Sequence, residues 1–298
     1  MAENVTFDNF RLDADGMGIS GIYLIGGIHH YMSGVIPDIA EVYRHKLPST
    51  PTEENLGELA DKIGTGEDLP ATINKFQNIV GTNLEAVSIV RNWVNDTGLL
   101  TPVERSFLTN EQPSKNIELA VITGGMRHLM DRRSKRLESF VTDHRVNKIL
   151  LVAGNRPMEP AEGKDVENMT EGNYMRQVVA EHLMALGLHL KVLETDSSED
   201  EAVMARGVEV ADDMIDLEKA RVVIVSSAGY WPQNAGMFRR LAIENINPSF
   251  DIDGGQVFAV SDDFPLGTGT EPDKTHQNPF KATGLIVRNA EEFVRYFI

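Results

Sequence analysis

The sequence predicts an α/β protein, three layers built on a parallel sheet of about five strands, and three observations carry that expectation. Short, almost wholly apolar runs recur between Ile117 and Ser261. The second and third are each followed by a stretch with apolar residues at helical spacing. Glycine, serine or an acidic residue stands where each strand hands over to the chain that follows. Runs buried on both faces, separated by amphipathic helices, are the pattern of a parallel sheet covered on both sides.

The strands are expected at 118–123, 148–153, 190–194, 221–226 and 256–261. After the second, Met175, Val178, Val179, His182, Leu183 and Leu186 follow helical spacing, and Gly187 stands where a C-terminal cap belongs. The next helix places Val203, Gly207, Val210, Ala211 and Met214 on one face. A long Gly/Pro/Thr loop over 265–284, a last strand near 285–287 and a helix from Glu291 close this domain, read as 117–298.

Residues 1–116 have a different texture and predict a helical N-terminal region. Thr50-Pro51-Thr52-Glu53 combines a capping residue, proline at the first helical position and glutamate at the third. Thr101-Pro102-Val103-Glu104 repeats that signal and predicts a short helix. Apolar stripes at Ile36, Ile39 and Val42, at Leu56, Leu59 and Ile63, and at Ile73, Phe76 and Val80 supply further helices, as does Leu84, Val87, Val90 and Val94.

Composition narrows the function classes. Net charge is -17, and so acidic a surface repels nucleic-acid backbones. Cysteine is absent, which excludes disulfides, thiolate metal sites and cysteine nucleophiles and fits a reducing, cytoplasmic setting. No run reaches the ~18–20 apolar residues of a membrane helix, and the N-terminus lacks the basic start of a secretory signal. The glycines of Gly16-Met17-Gly18-Ile19-Ser20-Gly21 precede an apolar run where a dinucleotide fingerprint would follow a strand, so they carry no such reading. His29-His30 has no ligand triad beside it, and no metal site is expected.

Open α/β sheets bind ligands outside the carboxyl ends of their strands. The residues expected there are Gly124, Gly125 and Arg127 after the first strand, and Gly154, Asn155 and Arg156 after the second. The third supplies Glu194, Asp196 and Ser197, and the fourth Ser226 and Ser227. Glycines let an anion approach the backbone at a helix start, and Arg127, lying in the turn, could fork onto its oxygens. Arg132, Arg133, Lys135 and Arg136 read as a solvated helix face, and the acids from Glu199 to Asp216 as another. Glu171, Glu194 and Asp196 are the acid–base candidates.

Val121-Ile122-Thr123-Gly124-Gly125, Leu150-Leu151-Val152-Ala153-Gly154, Glu171 to Leu183, Gly187, Glu194-Thr195-Asp196-Ser197-Ser198 and Val222 to Ser227, followed by Phe238-Arg239-Arg240, stand in one order. In that order they resemble the YdcF/SanA/ElyC family over about 118–242. The resemblance implies a Rossmann-like sheet with a helical accessory region. It also implies binding of a small anionic, nucleotide-type ligand, S-adenosylmethionine among the candidates, with no reaction attached. Two other functions compete: a hydrolase or transferase acting on a phosphorylated or nucleotide-like molecule, and a non-catalytic interaction or sensor protein.

Overall fold

The computed structural model describes residues 102–106, 112–228, 230–248, 250 and 256–262, all within one compact unit, Pro102–Asp262. The helices expected before Thr101, the glycine motif at 16–21, His29-His30 and everything expected after Asp262 lie outside the described residues.

Six strands form one sheet: β1 (Glu104–Ser106), β2 (Asn116–Thr123), β3 (Arg145–Ala153), β4 (His189–Glu194), β5 (Arg221–Ser226) and β6 (Gln256–Ser261). Their order is β1-β6-β5-β2-β3-β4. The five parallel strands are those expected, and β1 adds an antiparallel edge. Taken alone, the parallel strands run β4-β3-β2-β5-β6, the order of a doubly wound Rossmann-like sheet. The chain winds outward from β2 to β3 and β4, then crosses back to β5 and β6. Connections therefore diverge between β2 and β5.

Helices α1 (Arg127–Asp143), α2 (171–184), α3 (Asp200–Met214) and α4 (Trp231–Asn245) make the outer layers. The middle of α2, Met175–Val179, is wound as a π-helix. Residues of α1 and α2, among them Met130, Leu137, Phe140, Met175, Val179 and Leu183, share one core with Ile122, Leu151 and Val225 of the sheet. Alternate strand residues face the other way, where Gly207 of α3 brings the helix backbone down onto Val152. Strand residues need apolar side chains on both faces, which is why these runs are nearly unbroken Val, Ile, Leu and Ala.

One expectation is corrected. Pro102 and Val103 do not begin a helix, and Glu104–Ser106 is a strand. The cap signal there is local, but the free edge of β6 offers unpaired backbone donors and acceptors. Pairing with that edge outweighs the helix signal. Val103 accepts from the Ser261 N–H at 2.9 Å and donates to Ser261 Oγ at 3.2 Å. Glu104 is tied to α1 by Arg136 at 2.5 Å.

A Cβ at position 207 would lie 3.2 Å from both methyl groups of Val152. Gly207→Leu should therefore push α3 off β3 and cost about 1–3 kcal/mol. A lower urea midpoint at unchanged slope would show it, and an unchanged midpoint would contradict the close packing.

Candidate functional site

In-register pairing lines up the strand ends: Thr123 with Val152, Ala153 with Glu194, Ile122 with Val225 and Ser226 with Ser261. All the residues expected at a site therefore lie along one edge of the sheet. They fall there into three polar groups.

The first occupies the divergence between β2 and β5 and is organised by Arg133. This residue is 2% exposed. Its Nη1 donates to Thr123 O at 2.8 Å, to Thr123 Oγ1 at 3.0 Å and to the carbonyl of Gly124, and its Nε donates to Ser227 Oγ at 3.3 Å. Tyr230 lies 6.0 Å from the guanidinium. From the other face, Asn234 Nδ2 of α4 donates to Ser226 Oγ at 2.7 Å and Thr123 Oγ1 at 3.1 Å. Ser226 and Ser227 are fully buried, so they brace the two strand ends from within. Gly125 has φ +149°, a backbone conformation that suits glycine.

The solvated-face reading of α1 is corrected here. Arg133 is buried, Arg132 pairs with Asp262 at 2.5 Å, and Arg136 pairs with Glu104; of the four basic residues read that way, Lys135 is exposed. Arg133 falls in register with Leu129, Met130, Leu137 and Phe140, the buried stripe of α1. A charge inside an apolar stripe was the sequence signal for it. Glu199 before α3 and Asp200, Glu201, Glu209, Asp212 and Asp213 on it are exposed, as read.

The second group joins β3 to β4. A Cβ on Gly154 would fall 2.5 Å from the Ser197 carbonyl, and Asn155 N donates to that carbonyl at 3.0 Å. Asn155 Nδ2 donates to the Asp196 carbonyl at 2.6 Å, while Ser197 Oγ accepts from Glu199 N at the start of α3. Asp196 is exposed. Both oxygens of Glu194 are engaged, one by Asn173 Nδ2 at 3.0 Å and one by Arg176 at 2.8 Å.

The third group forms where the chain between β3 and α2 folds back as a strap, pinned by a bridge from Pro157 to Thr170 and by buried Met158 and Val166. Its Glu162 carboxylate accepts from Arg127 N at 2.6 Å, Glu159 N at 2.7 Å and Arg156 Nη1 at 3.3 Å. A carboxylate thus stands at the start of α1, where the helix dipole favours negative charge. Burial alone would raise its pKa, but these donors hold it below the usual carboxylate range. Arg127 donates to Asp165 at 2.8 Å and to the Glu162 carbonyl at 3.3 Å, and lies over the Tyr174 ring. Burial and the bond from its hydroxyl to Asp131 at 2.6 Å push Tyr174 up to about 12. Glu162, Tyr174, Asp131, Asn173 and Arg176 had no spacing signal marking them, because the strap brings them together only in the fold.

Glu171 opens α2 and is 9% exposed. Its Oε1 accepts from Arg156 Nε at 2.6 Å. A Cβ on Gly124 would sit 2.8 Å from its Oε2, so the glycine at the end of β2 makes room for this carboxylate. Burial raises its pKa, and Arg156 opposes the rise.

No family model matches this chain, and no curated protein or solved structure does.

Two measurements check this arrangement. Arg133→Ala leaves several buried acceptors unpaired and should cost about 3 kcal/mol or more. Arg127→Ala breaks half-exposed contacts and should cost less than about 1 kcal/mol. Equal losses in urea unfolding would refute the contrast. The carboxylates should also differ in sign. Glu171, raised by folding, destabilises the native state as pH climbs from the unfolded value through its folded pKa; Glu162, lowered, stabilises above the unfolded value and loses that as pH falls through its folded pKa. Subtracting the stability–pH curves of Glu171→Gln and Glu162→Gln from that of the parent protein should give differences that fall and rise with pH respectively.

Proposed function

We propose that this is a YdcF-like, cytoplasmic protein that binds a small anionic, nucleotide-type ligand at the carboxyl edge of its parallel sheet, S-adenosylmethionine being one candidate. The observation that carries the reading is the divergence of connections between β2 and β5, the place where doubly wound sheets take their ligands. There the Gly124-Gly125 turn lies beside Ser226-Ser227, held in shape by a buried arginine. At the start of α1 the Arg127 N–H donates to the Glu162 carboxylate, so this helix start suits negative charge. The ordered set of strand ends and turns that carries the family resemblance supports the rest.

The test is a thermal-shift screen of the full chain against ATP, S-adenosylmethionine and sugar phosphates. A binder present far above its Kd stabilises the native state, by about 2.7 kcal/mol at a hundredfold excess. At least one probe should raise the melting temperature, and Arg127→Ala should weaken its binding by about 1.5–3 kcal/mol while still folding. A flat response to every probe would end the reading.

A further inference from the structure

The acids along the strand ends are not equivalent. Glu194 has both oxygens engaged by α2, Asp196 is exposed, and both oxygens of Glu162 hold the strap together. Glu171 differs. One oxygen is fixed by Arg156, while Oε2 has no hydrogen-bond partner among the described residues and lies against the bare Cα of Gly124 at the end of β2. A carboxylate this buried is costly unless paired or used. The free oxygen faces the turn that the proposed ligand would occupy, and the second is locked in orientation. Arg156 is itself held in place by Glu162 and by the Pro157 carbonyl.

We propose that Glu171 is the catalytic base of a phosphoester hydrolysis at this edge, with Arg156 as its positioning residue. This rests on the binding reading above. In the step, a water oxygen attacks phosphorus and forms the new P–O bond, while one water proton passes to Glu171 Oε2. The bond from phosphorus to the leaving oxygen breaks, and the leaving group departs with the electron pair. Glu171 then returns its proton to solvent. The base must be ionised, and the charges facing it are Arg156 from its own segment, Arg133 from α1 and Asp200 from α3; Glu194 of β4 packs against the adjoining Gly172. Burial keeps the carboxyl above its usual range, which suits a group that must accept a proton and release it.

The experiment uses the full chain with p-nitrophenyl phosphate and bis(p-nitrophenyl) phosphate, following release of p-nitrophenolate. At least one should be hydrolysed, with kcat rising with pH through a single ionisation. Glu171→Gln should lower kcat roughly 100-fold or more with KM little changed and remove that ionisation. Glu171→Asp, which keeps the acid but withdraws it, should retain the ionisation at reduced kcat and serves if the glutamine variant fails to fold. Arg156→Ala should move the ionisation to higher pH, and Arg156→Lys should restore it in part; a merely structural arginine would change kcat without moving it. If phosphorylated probes bind in the thermal-shift screen and neither ester is hydrolysed, the catalytic inference falls and the binding reading stands. If nothing binds, both fall. A Glu171→Gln protein with kcat within threefold of the parent overturns the role of Glu171.

Discussion

A single buried guanidinium fixes how the two halves of this sheet meet. Arg133 leaves the apolar face of α1, passes beneath the Gly124-Gly125 turn and donates to Thr123, Gly124 and Ser227. Burying a full positive charge is expensive unless every donor finds an acceptor. Here the acceptors are mainly carbonyl and hydroxyl oxygens at strand ends, groups that would themselves be stranded without a donor. The strand ends and the arginine satisfy each other, so the divergence between β2 and β5 is held to one geometry. Burial also draws the arginine's own pKa down, though arginine keeps its charge throughout the useful pH range.

Outside that point, charges at the edge are met mostly by the chain's own charges. Arg127 grips a strap that carries Glu162 and Asp165, Arg156 on that strap pairs with Glu162 and Glu171, and Arg176 grips Glu194. The glycines at the strand ends make room for internal polar groups: Gly124 for the Glu171 carboxylate and Gly154 for the Ser197 carbonyl. In so acidic a protein, this arrangement concentrates arginine where carboxylates crowd together. It holds the edge in one arrangement through internal pairs.

Among the described residues, no helix is long and apolar enough to cross a membrane, and no group of acids and histidines could hold a metal ion. The acids of α3 are exposed, and Glu162 and Asp165 of the strap are spent on arginines and backbone donors.

The sequence alone determined the five parallel strands, the alternation with helices, and the stretch of chain that reaches the carboxyl edge. Those features follow from local periodicity: an apolar run needs two covering layers, and a helix needs one apolar face. The same logic placed Gly124, Gly154, Glu194 and Ser226 at strand ends. Tertiary structure decided what periodicity cannot express. It made a strand of Glu104–Ser106, because the open edge of β6 offers hydrogen bonds that outweigh a local cap. It drew Arg133 into the core, because acceptors from β2 and the chain after β5, distant in sequence, converge on it. It also set Glu162 against Arg127, 35 positions away, through a strap whose residues carry no repeating pattern. Burial, pairing and charge at the edge depend on which segments meet, and that is a property of the fold.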